Sequence, residues 1–250
     1  MSLVLPSLIG ANKPAFSNDF SVSFDGSDDF IDVGTVSALN GSISAVTISA
    51  WFKVSAFGDA VISGGSSGSD RFYMQVYDST TIRYGSGVGF DDFTVPTLST
   101  GTWYHVALIH NGTSAELYLN NSQSSSGSRV VESPTANYGS SLKIGSYFSG
   151  SNYFQGLLDE VAVFNSALSA PNIASIYSNG VPSNISSLNP VGWWRMGDGS
   201  DGSGNADGTV VGGLPQIYNV AEDGSGNRIT GIDGSMTNIS SPNGIVADVP

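Results

Sequence analysis

The sequence predicts an all-β fold, an antiparallel sandwich or jelly roll that carries one short helix. Short runs rich in β-branched and aromatic residues recur along the 250 residues. Clusters of Gly, Asp, Asn and Ser separate these runs at intervals of roughly 8–12 residues, the spacing of turns in a sandwich. Several runs also alternate: in the segment 47–53, Ile48 and Ala50 face one side of a strand while Trp51 and Lys53 face the other.

The strand candidates follow in chain order from these runs. They are Phe20–Phe24, Phe30–Val33, Val46–Val54, Ala60–Ser63, Phe72–Tyr77, Thr81–Tyr84, Trp103–Ile109, Ala115–Leu119, Arg129–Val131, Leu142–Ile144 and Leu157–Phe164. A succession of short strands, each ended by turn residues, is the pattern of an antiparallel sandwich.

One helix is predicted after the last strand. Ser169 can cap its N-terminus, Pro171 lies in its first turn, and Ile173 and Ile176 follow at helical spacing. Gly180 is expected to end the helix. About two turns are too few for a helix to be stable alone, so we expect it to pack on the sandwich.

We predict three segments along the chain: an N-terminal arm at 1–18, the jelly roll at 19–181 and a C-terminal extension at 182–250. The extension is richer in Gly, Asp, Asn and Ser than the rest of the chain, and its apolar residues are isolated. It contains the pentapeptide Asp-Gly-Ser-Gly-Asn twice, at 201–205 and 223–227. Two copies of a turn sequence indicate two hairpin turns rather than a repeat architecture.

The composition excludes several classes of protein. The net charge is −13, from 8 basic and 21 acidic residues, so the chain lacks the basic surface that nucleic-acid binding requires. The absence of cysteine excludes disulfides, thiolate zinc sites and cysteine nucleophiles. No apolar run approaches the ~18–20 residues of a membrane helix. The first residues lack the basic region of a signal peptide, and we expect none.

Four stretches resemble the laminin-G-like, concanavalin A-like jelly rolls. Residues 21–34 look like the opening strand pair of that family, and 46–53 look like its strand with a central Trp-Phe pair. Residues 101–120 look like its Trp-Tyr-His-Val-Ala hairpin, and 156–180 look like its closing strand and helix. The resemblance covers roughly 160 residues. It implies a concanavalin A-like jelly-roll sandwich with one short helix and extended N- and C-terminal segments.

The segment 191–197 resembles the strand that usually begins such a domain, although here it follows the closing helix. It is either a permuted strand that completes the sheet or the start of an incomplete second copy. Trp193 and Trp194 alternate across this strand, so we expect one in the core and the other against a subunit or the N-terminal arm. We therefore predict an assembly role for the pair. The end of the chain, 236–250, is similar to tails of structural proteins of marine bacteriophages.

The resemblance also implies a structural Ca²⁺ ion between the turn after the first strand and the closing strand. The matching ligands are Asp25, the Gly26 carbonyl and Asp159, with Asp28 and Asp29 as additional candidates. Carboxylate and carbonyl oxygens are the ligands that Ca²⁺ prefers. The alternative is that Asp25 and Gly26 only form a turn and that Asp159 only caps a strand.

No enzymatic site is expected. His105 and His110 are five residues apart on one predicted strand, so their side chains face opposite sides. No Gly-x-Ser-x-Gly sequence occurs between a strand and a helix. Glycosidases of the wider concanavalin A-like group carry a Glu-x-Asp-x-Glu strand. The four glutamates do not form that pattern: they are Glu116, Glu132, Glu160 and Glu222.

Two predicted loops place aromatic rings beside polar side chains. Such rings could stack on sugars while carboxylates bond the sugar hydroxyls. The candidate ligand-binding residues are Tyr147, Phe148, Tyr153, Asp91 and Asp92. The alternative is that these rings pack in the core.

Two functions from different classes follow from these observations. The first is a non-enzymatic phage virion structural protein, a capsid decoration protein or a head or tail fibre subunit, which lies on the virion surface and contacts other virion proteins and copies of itself. The alternative is a secreted or appended carbohydrate-binding adhesion module. Under either function a host surface glycan is a candidate partner, and neither nucleic-acid binding nor membrane insertion is expected.

Overall fold

A computed structural model describes residues 18, 21–40, 44–65, 71–87, 89–112, 114–126, 141–196 and 209–211, with the backbone alone at 125–126 and 209–211. The strands are β1 Val22–Asp25, β2 Phe30–Gly34, β3 Val46–Val54, β4 Asp59–Gly65, β5 Arg71–Asp78, β6 Thr81–Ser86, β7 Gly89–Thr94, β8 Tyr104–His110, β9 Ala115–Leu119, β10 Ser122–Ser126, β11 Leu142–Ile144, β12 Gln155–Phe164, β13 Gly192–Trp194 and β14 Thr209–Val211. The helix α1 is Ala170–Tyr177, and 3-10 helices occur at Ser37–Leu39 and Ser186–Leu188. The predicted strand Arg129–Val131 and, apart from Asn18, the predicted N-terminal arm lie outside the described residues.

The strands form two antiparallel sheets packed against each other, which confirms the predicted sandwich. The back sheet has the order β9–β8–β3–β12, and β1 and β13 both pair with the free edge of β12. The front sheet has the order β7–β6–β5–β4–β11–β2–β14. Strand β10 joins the two sheets, because its first residues pair with β9 and its last two pair with β7. A strand that changes sheets in this way makes a corner of the sandwich.

Alternate side chains of the two sheets form the main core. Ile48 and Phe52 of the back sheet and Phe72 and Met74 of the front sheet are all 0% exposed. Burial of one such side chain contributes about 1.5–3 kcal/mol relative to leaving it in water. The predicted alternation in β3 is confirmed, since Trp51 points away from this core and stacks on Tyr177 of α1 with ring centroids 5.8 Å apart.

A second, smaller core lies between the back sheet and α1. The helix begins at the predicted cap, Ser169, whose hydroxyl accepts a bond from the Asn172 backbone N–H while the Asn172 side chain accepts from the Ser169 backbone. The helix ends at Tyr177, before the predicted end at Gly180, and its C-cap residue Ser178 adopts φ 44°. The left-handed conformation already begins at Ser178, two residues before that glycine. The buried residues of this core are Ala107, Ile109, Tyr118, Ala162, Phe164, Ile173, Ile176, Ile185 and Trp193.

The described part of the C-terminal extension completes the same sandwich. Strand β13 pairs with β12, with Ala162 opposite Trp193, and strand β14 pairs with β2 at the edge of the front sheet. These pairings favour the permuted-strand prediction over an incomplete second copy. Strands on both sides of the boundary predicted at residue 181 belong to the same two sheets.

The assembly role predicted for the two tryptophans is wrong. Trp194 is 2% exposed and belongs to the core between the sheets, and Trp193 is 3% exposed and packs under α1. The indole N–H of Trp193 donates to Glu160 Oε2 at 2.5 Å, and the Arg195 guanidinium donates to Glu160 Oε1 at 3.3 Å. Both indoles are thus enclosed within the chain itself and cannot meet another subunit.

Glycine at position 156 allows β12 to approach β3 closely. A Cβ atom built on Gly156 would lie 2.2 Å from the Lys53 carbonyl oxygen, and the backbone φ is 144°. Gly34 is a matched control, because its φ is 73° and nothing lies within 4 Å of its Cβ position. We expect Gly156→Ala to lower the free energy of unfolding by about 2–5 kcal/mol, the sum of a φ penalty and an overpacking penalty.

Gly34→Ala should carry only the φ penalty, about 1–2 kcal/mol. Urea unfolding of the two variants and the parent protein measures the difference. Equal losses for both variants would contradict a steric role for Gly156.

Candidate functional site

Aromatic and charged side chains gather on the outer face of the front sheet. In β5, Phe72, Met74 and Val76 point into the core, so Tyr73 and Tyr77 point outward. We call this surface the aromatic strip, defined by Arg71, Tyr73, Tyr77, Arg83, Phe90, Asp92, Tyr147 and Phe148. Among the described residues, Tyr77, at 43%, is one of two large apolar side chains that the fold leaves exposed.

A glycine in the neighbouring strand makes room for Tyr73. The Cα partners Tyr73 and Gly85 face each other across β5 and β6. A Cβ atom on Gly85 would lie 2.0 Å from the Tyr73 ring. The ring therefore lies flat across β6, where it is 6% exposed and forms the floor of the strip.

The loop between β11 and β12 adds two more rings to the strip, those of Tyr147 and Phe148. Its backbone turns back on itself at the bridge between Tyr147 and Ser151. The Tyr147 ring meets Tyr73 edge-on with centroids 4.8 Å apart, and Phe148 lies 4.3 Å from Tyr147 by the same measure. This loop forms one wall of the strip.

Two uncharged groups hold Arg71 beside the β11–β12 loop. Its Nε donates to the Gly87 carbonyl oxygen at 2.9 Å, and its Nη1 donates to the Tyr147 hydroxyl at 3.1 Å. The guanidinium carbon lies 6.0 Å from the Tyr73 ring centroid and 5.7 Å from that of Phe148. At these distances the cation is attracted to both rings.

Arg83 occupies the middle of the strip and is fixed differently. It binds both carboxylate oxygens of Asp92, with Nε–Oδ1 at 2.6 Å and Nη2–Oδ2 at 2.9 Å. Its guanidinium carbon lies 3.8 Å from the Tyr77 ring centroid and 4.2 Å from that of Phe90. The hydrogen bonds that Arg83 donates to Asp92 raise the pKa of Arg83. This bidentate pair between two rings is a rigid, electrically neutral unit.

The structure places some of the predicted ligand-binding residues on the strip and excludes others. Tyr147, Phe148 and Asp92 belong to it. Tyr153 packs instead on Phe30, with ring centroids 6.2 Å apart, at the β2–β11 end of the same sheet. Asp91 is 2% exposed and points into the sandwich, so its prediction as a surface ligand is wrong. Adjacent strand residues face opposite sides, and Asp92 therefore takes the outer position.

Five residues of the strip are not among the predicted ligand-binding residues: Arg71, Tyr73, Tyr77, Arg83 and Phe90. The signal was present in β5, whose odd positions are Arg, Tyr, Gln and Tyr while its even positions 72, 74 and 76 are apolar. That alternation indicates a polar, aromatic outer face on a strand whose inner face is in the core.

The two histidines face opposite sides of β8, as predicted. His105 lies on the α1 side, where its Nε2 is 2.9 Å from the Ser49 hydroxyl. His110 points between the sheets, where its Nδ1 is 3.2 Å from the Tyr84 hydroxyl. Burial lowers the pKa of His105 to about 3 and that of His110 to about 4. Both side chains are 0% exposed, so neither can reach a ligand on the surface.

The predicted calcium ligands do not come together as expected. Asp25 is the Cα partner of Gln155 in the β1–β12 ladder, so Asp159 is four positions further along β12. Four residues of a strand span about 13 Å. Asp159 is also 0% exposed and accepts the Glu160 backbone N–H, at 2.8 Å. The prediction that Asp25 and Asp159 share one ion is therefore wrong.

Asp25 instead lies close to two other carboxylates. One oxygen each from Asp25, Asp28 and Asp29 lie within 4.8 Å of one another. Burial, and then the charges of Asp25 and Asp28, raise the pKa of Asp29 to about 6. Asp29 Oδ2 accepts the Asp25 backbone N–H at 3.1 Å, while its buried Oδ1 has no hydrogen-bond partner among the described residues. Three carboxylates with an unsatisfied buried oxygen fit the oxygen ligands that Ca²⁺ requires.

The fold and the sequence together define the class of protein. A laminin G-type family model, described as the Concanavalin A-like lectin/glucanases superfamily, matches residues 25–174. The chain belongs to this family, as its motifs predicted. No curated protein sequence matches the chain. None of the helices in the described part of the chain has the length and hydropathy of a membrane span.

Solved structures share the fold at low sequence identity. A Bacteroides ovatus protein with a proposed carbohydrate-binding role has a TM-score of 0.59 at 20% identity, over 78% of this chain and 59% of its own. A heptameric SAP-like pentraxin from Limulus polyphemus has a TM-score of 0.54 at 17% identity, over 79% of this chain and 96% of its own. The NanB sialidase of Streptococcus pneumoniae has a TM-score of 0.51 at 16% identity, over 64% of this chain and 28% of its own. The chain thus spans less than two thirds of the first of these structures.

The buried histidines make the stability of the fold dependent on pH. Because the pKa of His110 is about 4 in the folded protein and about 6.5 when unfolded, the unfolded state binds the extra proton first. The free energy of unfolding should therefore fall as the pH drops from about 6.5 towards about 4. We expect His110→Gln to lose less stability over this interval than the parent protein.

Urea unfolding at several pH values measures this difference. Asp29 has a raised pKa and acts in the opposite direction, and His105 acts in the same direction as His110. Both remain in the variant, so their effects cancel when the two proteins are compared. Parallel pH profiles for the parent and His110→Gln would contradict the prediction.

Proposed function

We propose that this protein is a carbohydrate-binding module whose binding surface is the aromatic strip. The observation that carries the proposal is the row of rings on an outer sheet face, interrupted by fixed charged groups. Sugar rings have apolar C–H faces that pack on aromatic rings and hydroxyls that bond to charged side chains. The strip offers both kinds of contact, with Tyr77 and Phe148 as stacking surfaces and the Arg83–Asp92 pair as donor and acceptor.

Rigidity of the strip favours binding. Arg83 is held by two hydrogen bonds and two rings, and Tyr147 is held by Tyr73 and Arg71. Side chains already fixed before binding lose little conformational entropy when a ligand arrives. Aromatic surfaces with a few fixed polar groups are typical of ligand sites. The proposed carbohydrate-binding role of the Bacteroides ovatus protein supports the same assignment.

The phage virion role predicted from the sequence gains no support from the comparisons. Contacts with virion proteins and with copies of this chain remain predictions. An extracellular location agrees with a glycan ligand and forms part of the proposal. A non-catalytic role also agrees with the burial of both histidines.

We also propose that Asp25, Asp28 and Asp29 bind Ca²⁺ with a structural role. Asp25 is the last residue of β1, where its backbone pairs with β12, and Asp28 and Asp29 follow in the next turn. A Ca²⁺ ion here would offset two of the three carboxylate charges in the turn that connects β1 of the back sheet to β2 of the front sheet. Its expected effect is on stability, since the strip is formed by other strands.

Tyr77→Ala tests the glycan proposal. A glycan array followed by calorimetry on the best ligand should show about tenfold weaker binding for the variant, since loss of a stacking surface costs roughly 1 kcal/mol or more. Tyr77 is 43% exposed and lies outside the core between the sheets, so the melting temperature should change little.

Val181→Ala is the matched control, because Val181 is 54% exposed and follows α1, on the other side of the molecule from the strip. It should bind like the parent protein. Array signals no higher than background, or equal affinities for Tyr77→Ala and the parent protein, would refute the assignment of the strip.

Asp28→Asn tests the calcium proposal. Ca²⁺ should raise the melting temperature of the parent protein and EDTA should reverse the rise, because the ion binds the folded state. Asp28 is exposed, so the variant should fold but lose most of the response to Ca²⁺. Asp78→Asn, in the β5–β6 turn, is the control and should keep the response. Identical melting curves in Ca²⁺ and in EDTA would contradict the proposal.

A further inference from the structure

Arg71 differs from the other described arginines in its partners. Arg83 binds the carboxylate of Asp92, and Arg195 binds that of Glu160. The two groups that Arg71 bonds are a backbone carbonyl and a phenol, both uncharged. Among the arginines that the structure describes, Arg71 is thus the one whose positive charge no carboxylate neutralises.

The geometry leaves part of this guanidinium available. An arginine has five N–H donors, and the two bonds described above use two of them. The bonds fix the plane of the group, and the Tyr73 and Phe148 rings flank it. The side chain is only partly exposed, so its remaining donors face a local environment that is poorer in water than an open surface.

A carboxylate is the ligand group that matches such a site. Guanidinium and carboxylate are both planar, and they form two parallel charged hydrogen bonds. A guanidinium that is fixed in advance and partly desolvated gains more from this pairing than a mobile surface arginine. The flanking rings can meanwhile contact the sugar that carries the carboxylate.

We infer that the aromatic strip selects glycans that contain a carboxylated sugar, with the carboxylate bound by Arg71. This inference rests on the proposed function, since it names the ligand class of the same surface. The overall charge of −13 opposes the binding of anions at long range, so a preference for an acidic glycan has to come from a local cation at the site of contact.

The test compares acidic polysaccharides with the same polymers after reduction of their carboxyl groups to alcohols. Polygalacturonate, alginate, hyaluronate and polysialic acid are the probes, each paired with its reduced form. The parent protein should bind at least one acidic form at least about tenfold more tightly than its reduced partner, the size expected for charged hydrogen bonds. Arg71→Met should remove this preference, so that the variant binds the acidic form no more tightly than its reduced partner.

Two further variants control for charge and folding. Lys53→Met removes one positive charge from the outer face of the back sheet, and the preference for the acidic form should survive it. Arg71→Lys keeps the charge without the planar fork and should bind the acidic form with an intermediate affinity. Melting temperatures measured on every variant verify that each is folded.

The outcomes separate this inference from the proposed function. Equal binding of acidic and reduced glycans by the parent protein would overturn the inference and leave carbohydrate binding intact. Binding of sulfated glycans without carboxylated ones would also overturn it, since the anion would then be of a different kind. An acid preference that persists in Arg71→Met would show that another residue carries it. Absence of binding to every glycan would refute both proposals.

Discussion

The packing of alternate strand residues between two sheets is the constraint on which the rest of this structure depends. Because the side chains of Phe72 and Met74 are buried in the core, the residues between and beside them on β5 must face outward. The aromatic strip is therefore a direct consequence of the same alternation that stabilises the sandwich. A shift of one residue in β5 would exchange the two faces and place arginine in the core.

A β-bulge in β12 allows side chains of this one strand to pack in both cores. Its pairing with β3 shifts register between Asp159 and Ala162, and Glu160 there adopts φ 46°. The extra residue reverses the alternation, so Val161 points between the sheets and Ala162 points to α1. A left-handed backbone costs about 1–2 kcal/mol in a residue with a side chain. The bonds that Glu160 makes with Trp193 and Arg195 offset part of that cost.

The two faces of the molecule consequently have different roles. Helix α1 and the segment that leads to β13 cover the back sheet, and that face is occupied by packing within the chain. The front sheet carries the strip, where Gly85 gives space for a ring and the β11–β12 loop adds a wall. Among the described residues, the chain covers one face with α1 and leaves the strip on the other, which agrees with the proposed binding role because the sandwich itself holds the strip in shape.

The sandwich, its family, the helix cap at Ser169 and the opposite faces of His105 and His110 could all be predicted from the amino-acid sequence, because each depends on local spacing or on a motif. Which carboxylates lie together could not be predicted in this way. Asp25 lies beside Asp28 and Asp29 rather than Asp159, because strand register fixes distances between segments far apart in the chain. The structure also assigned Asp91 to the interior and β13 to the edge of β12. Spacing in the sequence predicts which face of a strand a side chain is on. The pairing of strands determines which other residues that side chain meets.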